Sequence, residues 1–449
     1  MSPTTSSLHR DLAVFVAGLT YERLSSEVIT KVRTNMLHDL SCAMAAYDVA
    51  TPAWELASEL GPGEATLLCS GARAPAEMAA FANGVRLHAR AQDDTHFAAK
   101  SHAGSIVLAA TLAVAQKLGA SGRDVLVAVV AGYETIGAVG ELLAAQVTAR
   151  GFRASSVFGP LGAAASVAKL LALDVEGTAN AIAIATSFSG GLNQTWIDGS
   201  TEWRWEVGMA ARNGVVAARL AAGGAHGAAH AFEGAAGFAA AFAGESDFTY
   251  GPLELGRRWR ILDVVYKPHP VCNITQSAVT VSAGLARDYD LQPSDVASVR
   301  CYLNPADRSY PGTLNAGPFL DVGGTLMSAP FCVAMALRDR RATLRGLARF
   351  DDSEMLELIA RIEILPDEGL PVLSARVEIM TTDGRKVGDE LIPDASTYNW
   401  SWDETATRVD ALRAEMANLG AGIDALKEAL LHLEELCSID ALLEATVAT

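Results

Sequence analysis

Between positions 83 and 104 the sequence reads NGVRLHARAQDDTHFAAKSHAG, which gathers Arg90, Asp93, Asp94, Thr95, His96, Lys100, Ser101 and His102 into one short segment. The apolar run IVLAATLAVA at 106–115 follows at once. Ionisable groups beside a buried helix need partners or a ligand, because an unpaired buried charge is costly. Carboxylates next to imidazoles supply bases and acids for proton transfer, and loops on a rigid helical scaffold are common seats of catalysis. His102 falls at the N-terminal edge of the apolar run. There the positive end of a helix dipole lowers an imidazole pKa and favours a neutral ring able to accept a proton. Helix capping or packing is the plainer alternative for this histidine. Asp93, Asp94, His96 and His102 also mix donors in the way first-row metals use, but the spacing matches no metal signature, so no metal is expected.

Three further groups could join this chemistry. In Lys267-Pro-His-Pro270 two prolines fix φ, so the Lys267 ammonium and the His269 ring can be aimed with little entropy cost; a rigid linker would look the same. Arg153, in Gly151-Phe-Arg153, and Arg204, in Glu202-Trp-Arg-Trp-Glu206, offer the bidentate fork that binds carboxylates. Their plain readings are a solvated loop and a surface aromatic–cation cluster. The chain contains no G-x-x-x-x-G-K-[ST], no G-x-G-x-x-G after a strand, no H-E-x-x-H and no G-x-S-x-G. Nucleotide, nicotinamide and serine-hydrolase readings therefore lack support.

These residues must be positioned by a sizeable scaffold. With 449 residues, 50% of them hydrophobic and 19% charged, the chain has core enough for two or three domains and too little charge for disorder. Six scattered cysteines without paired spacing predict a reduced, cytoplasmic protein with no iron–sulfur or zinc cluster. The apolar runs are short for a membrane span, and the first residues lack a secretory pattern. A net charge of −17 disfavours nucleic acid and anionic membranes as partners. An anionic small substrate would need a local basic pocket against that field.

From Asp11 to about 245 the sequence is rich in Ala and Gly and reads as helix, with runs at 105–118, 123–143, 156–173 and 208–222. From 266 to 399 the pattern changes. Strands are expected at 296–303 and 373–381, a turn at Thr382-Asp383-Gly384, and helices at 275–289 and 327–338. Helical pattern returns at 405–418 and 423–436. The predicted fold is mainly α: a discontinuous all-helical domain (1–265 plus 400–449) with an inserted α+β lid domain (266–399).

Taken together, these segments resemble the MmgE/PrpD family. The resemblance rests on the N-G-x-x-x-H segment with its D-D-T loop, His102 before the apolar helix, and the S-G-R-D and G-Y-E pair. It continues through Gly151-Phe-Arg153, Gly208-Met-Ala-Ala-Arg-Asn-Gly214, Glu233-Gly-Ala-Ala-Gly-Phe238 and Tyr266-Lys-Pro-His-Pro-Val-Cys272, in order along nearly the whole chain. It implies a helical body with an α+β lid, usually homodimeric. It also implies a small carboxylate substrate, no organic cofactor and no iron–sulfur cluster. The shared chemistry makes or protonates a carbanion next to a carboxylate, which calls for a base and for positive charge. By resemblance, Asp93, Asp94, Thr95 and His102 lie in the helical half of the cleft, Lys267 at the hinge, and Tyr310 matches a catalytic lid tyrosine.

The departures from the family pattern are Ala91 for an active-site Asp, Arg153 for the His of decarboxylating members, Trp203-Arg204 for Lys-Arg, and Cys272 for a second His. They favour proton transfer, by dehydration or epimerisation, over decarboxylation. His102, Lys267, Asp93 and Tyr310 are the expected catalytic groups. Asp94, Thr95, Arg153, Arg204 and His269 are the expected substrate-binding groups. A family member that has lost catalysis and serves as a binding or scaffold protein is the alternative from another class.

Overall fold

The computed structural model describes residues 7–46, 49, 51–59, 61–394 and 396–447. Its helices start where the chain supplies caps. Ser121 and Asp124 form a reciprocal capping box that opens the helix Gly122–Ala149, and Gly119, with φ of 64°, closes the helix Ala103–Leu118. Small residues then set how closely the helices approach. Gly84 in Ala76–His88 and Gly208 in Glu202–Ala222 face each other where these helices cross. A Cβ on Gly208 would stand 2.5 Å from the Phe81 carbonyl, so any larger residue would force the helices apart. Gly132 and Gly162 do the same for Gly122–Ala149 against Ala154–Leu170. Pro160 sits inside the latter helix; the Ser156 carbonyl that it leaves without an N–H accepts one from Gly190 at 3.5 Å instead.

Gly122–Ala149 is long and apolar enough to cross a membrane, a length that the sequence-based expectation missed. It is 89% buried within the protein over its most apolar window, as a core helix is.

The mainly α fold carries a separate α+β domain. One apolar core collects residues from Leu8 to Val264 and then from Val409 to Ala445, so the last helices pack with the first ones. A second core gathers Val271 to Ile379, joined by Ala91, Trp196 and Trp203 from the helical part. Its sheet has the order Ile362–Pro366, Val296–Leu303, Ala375–Thr381, Lys386–Leu391, the first pair parallel and the others antiparallel. Ala375, Val377 and Ile379 alternate inward, beneath the helices Gln276–Asp288 and Ala329–Asp339. The expected turn at Thr382-Asp383-Gly384 joins the last two strands, with Gly384 at φ of 87°.

One expected helix is shorter than its pattern. The run at 405–418 is helical as Trp402–Leu412 and then breaks into 3-10 turns, where Ala417 takes φ of 48° and Arg413 donates to the Gly420 carbonyl. Two glycines, 420 and 422, weaken helix propagation there.

The chain crosses between the two parts twice, and Lys31 holds both crossings. Its Nζ donates to the Val264 carbonyl and to Asn399 Oδ1, each at 2.6 Å. Beside it, Val264–Val265 pairs antiparallel with Thr95–His96, a two-residue ladder that fastens the D-D-T loop to the hinge. Such a short pairing has no periodicity for a sequence pattern to reveal.

Candidate active site

The D-D-T loop runs between two helices and is held from both sides. On one side, Asp93 accepts from His88 Nδ1 at 2.8 and 2.9 Å through its two oxygens. His88 Nε2 lies 2.6 Å from Arg153 Nη2. A guanidinium only donates, so Nε2 is the acceptor, the proton sits on Nδ1, and His88 is a neutral ring between an anion and a cation. Burial, with Arg153 and Lys267 nearby, pulls its pKa down to about 4 against the pull of Asp93. Burial alone would push the Asp93 carboxyl up. His88, His102 and Lys267 outweigh it and hold that carboxyl well below the usual range.

His102 stands next in this row. Its Nδ1 is 2.9 Å from the Asp94 carbonyl, 3.2 Å from Thr95 Oγ1 and 3.9 Å from Asp93 Oδ2. A carbonyl only accepts, which places the proton on Nδ1 and leaves the Nε2 lone pair as the basic site. Among the described residues Nε2 has no hydrogen-bond partner. Burial is the main cause of a pKa well below 6.5, and Lys267 adds to it. His102 is therefore a neutral base of fixed tautomer at neutral pH. Thr95 Oγ1 also accepts from Asn273 Nδ2 at 3.2 Å, so this threonine touches both the histidine and the α+β part.

Lys267 reaches the same place from the hinge. Its buried Nζ donates to the Ala91 carbonyl at 2.5 Å. Ala91 adopts φ of 52°, a left-handed conformation that is uncommon outside glycine and turns this carbonyl toward the lysine. Burial lowers the Lys267 pKa, and Asp93 opposes the shift. Tyr310 and Cys272 pack nearby. Burial lifts the Tyr310 phenol to about 12, with Cys272 adding and Arg153 opposing. Trp203 closes the row, its ring edge-on to His88 with centroids 5.1 Å apart.

Not every expected residue converges here. His102, Asp93, Thr95, Lys267, Tyr310 and Arg153 are brought together. Arg153 is already engaged, donating to His88, to the Trp203 carbonyl and to Glu206 Oε2 at 3.2 Å, so a substrate carboxylate would have to displace one of these partners. Asp94 faces the other way. It accepts from the Gly104 N–H at 2.9 Å and from the Tyr133 hydroxyl at 2.6 Å, while its own N–H donates to Asp39 Oδ1 at 2.9 Å. Its carboxylate is thus spent on holding the start of the 103–118 helix. Arg204 lies 3.7 Å from Asp321, with its guanidinium 4.2 Å from the Trp203 ring and its Nε donating to the Ala89 carbonyl at 3.4 Å. His269 turns away from the His102 row toward Thr280, whose hydroxyl is 2.9 Å from Nε2.

His88, Asp39 and Tyr133 were absent from the expected site residues. The helix Ser26–Met44 did carry a signal, since Asn35, His38, Asp39 and Cys42 fall on one face at helical spacing and all are buried. His88, Asp93 and His102 have donor atoms within 4.8 Å of one another, close enough for a metal triad. The geometry does not favour one: His88 is committed at both nitrogens, and the Arg153 and Lys267 cations oppose a further positive charge.

Comparison with known proteins identifies the family. Residues 10–251 match the MmgE/PrpD N-terminal domain and residues 269–404 the MmgE/PrpD C-terminal domain. The chain is 24% identical to cis-aconitate decarboxylase of Aspergillus terreus over 87% of its own length and 86% of that protein's. It is 25% identical to cis-aconitate decarboxylase of Homo sapiens over 96% and 93% of the two lengths. A cis-aconitate decarboxylase-like protein of Aspergillus oryzae is 30% identical over 62% of the chain and 61% of that protein. With both domain models covering most of its length, the chain belongs to the MmgE/PrpD family.

Proposed function

We propose that this protein is a cofactor-independent lyase or epimerase that removes a proton from the carbon next to a carboxylate of a small molecule. The observation that carries this reading is His102, a neutral, half-buried imidazole with Nδ1 fixed by the Asp94 carbonyl and Nε2 uncommitted. An α-proton beside a carboxylate is weakly acidic, so its removal needs a positioned base together with positive charge to hold the developing enolate. His102 Nε2 accepts the proton. The Lys267 ammonium, freed from the Ala91 carbonyl, holds the enolate oxygen. Asp93, kept ionised, steadies the imidazolium that forms. In this reading Tyr310 returns a proton, to a leaving hydroxyl in dehydration or to the opposite face of carbon in epimerisation.

The names of the curated relatives favour a second reading, decarboxylation of a polycarboxylate. It shares the enolate and the need for Lys267, but there carbon dioxide leaves before the proton arrives. Arg153, Trp203 and Cys272, standing where the decarboxylating pattern differs, are the reason for ranking it second. Incubating the protein with di- and tricarboxylates in heavy water separates the readings. Deuterium at the α-carbon of recovered substrate, or formation of a dehydrated product, is expected. Release of carbon dioxide without exchange into substrate establishes the second reading. A carboxylate that binds but neither exchanges nor reacts would leave a binding protein.

A further inference from the structure

Arg204 does not face His102; it lines a separate cavity of about 600 Å3, within the size range of small-molecule sites. The walls come from the end of the first long helix, the start of Glu202–Ala222, the segment 339–349 and the turn at 414–417. Four arginines meet there: Arg204, Arg341, Arg345 and Arg349. The two carboxylates in the walls are already paired, Asp339 in part with Arg349 of the cavity itself. Asp339 is 3.6 Å from both Arg338 and Arg349, and Glu415 is 2.8 Å from Arg90. Arg341 and Arg345 make no ion pair with any described residue. Arg204 is 5% exposed, with Asp321 at 3.7 Å as its ion-pair partner. Its Nε donates to the Ala89 carbonyl at 3.4 Å, and burial lowers its pKa to about 10.

In a chain of net charge −17, four guanidiniums on one concave surface run against the overall field. Solvated surface arginines would spread apart and leave no buried member. We propose that this cavity binds a small polyanion, a molecule with two or more carboxylate or phosphate groups, held by Arg204, Arg341 and Arg345. Arginine forks match both groups bidentately. The site is also wired to the hinge. Glu415 pairs with Arg90, Arg90 Nε donates to Gln92 Oε1 at 2.7 Å, and Gln92 Nε2 donates to the Lys267 and Pro268 carbonyls at 3.0 and 3.1 Å. An anion beside Glu415 therefore acts on the residues that aim Lys267.

Calorimetric titration with citrate and with pyrophosphate, on the wild type, the double variant Arg341→Glu/Arg345→Glu and the variant Lys267→Met, tests the proposal. Both substituted arginines are exposed, so the fold should persist, and unchanged circular dichroism checks it. Binding of at least one probe is expected in the wild type and in Lys267→Met, weakened tenfold or more in the double variant. Binding by citrate alone or by pyrophosphate alone assigns the carboxylate or the phosphate source. Binding lost in Lys267→Met but kept in the double variant would place the anion at the catalytic row and overturn the proposal. No binding of either probe at millimolar concentration and low salt would overturn it as well. The proposal stands apart from the reaction: the double variant should keep its deuterium exchange without added anion, whatever that activity is.

Discussion

Asp93 and Asp94 are chain neighbours with opposite surroundings. Asp93 looks toward His88, His102 and Lys267, and the His88 N–H together with the Lys267 ammonium on that side keeps its carboxyl ionised despite full burial. Asp94 looks toward the helical core, where burial lifts its carboxyl to about 7 even though Tyr133 and the Gly104 N–H both favour the anion. Asp39, equally buried and next to Asp94, is raised too, by burial first and by its acidic neighbours second. Two like charges so close in a low dielectric cannot both persist. One peptide unit thus separates a carboxyl held ionised, which the proposed reaction uses beside His102, from a carboxyl pair that burial holds toward the neutral form. Residue type alone assigns neither role; the side of the loop does.

The sharpest way to break this contrast acts on the cationic side. His102→Ala should reduce turnover by roughly 10²–10⁴-fold while the protein melts as the wild type does. A loss below tenfold in a folded variant would return His102 to a packing role. Lys267→Met should cost roughly a hundredfold in kcat. Lys267→Arg then distinguishes a cationic clamp, which it preserves in part, from a base, which it cannot replace.

On the core side the expectation reverses. Asp94→Asn removes one acceptor from a site that uses two, and should lower stability by about 1–3 kcal/mol in denaturant titrations. Its kcat per folded molecule should stay within tenfold. A hundredfold kinetic loss at unchanged stability would move Asp94 to the catalytic side. Tyr133→Phe, which deletes the 2.6 Å hydrogen bond to Asp94, should cost about 1 kcal/mol and little activity.

The pH profile sharpens the same comparison. His102 must be neutral to act, and its pKa lies below 6.5, so kcat/KM should hold as pH drops through 6.5 and fall only lower. A charged Lys267 with a pKa below 10.5 implies an alkaline limb that falls before pH 10.5. In Lys267→Arg that limb should move upward. An acid limb at or above 6.5 would contradict the neutral imidazole.

Much of the scaffold was legible. The apolar runs at 105–118 and 123–143 announce the helices Ala103–Leu118 and Gly122–Ala149, because long periodic segments with capping residues leave few alternatives. The strand at 296–303 and the turn at 382–384 follow from the same local rules. Residues whose meaning depends on distant partners were less legible. Trp203 and Arg204 are adjacent on a helix, about 100° apart around its axis, so one faces His88 and the other a separate cavity. Sequence alone marks both as interesting and cannot orient them. Asp39 is quieter still, its role fixed by a hydrogen bond to a residue 55 positions away.

The ladder between Thr95–His96 and Val264–Val265 has a temporal meaning as well. Lys267 and its acceptor Ala91 are 176 residues apart, and the loop and hinge meet only when both have left the ribosome. At a synthesis rate of 5–20 residues per second, the nascent helical body waits roughly 10–35 s before the lysine that completes the row exists. Through that interval Asp93 has His88 and His102 beside it but not the Lys267 ammonium, so the growing protein can fold its first helices but cannot yet assemble the site.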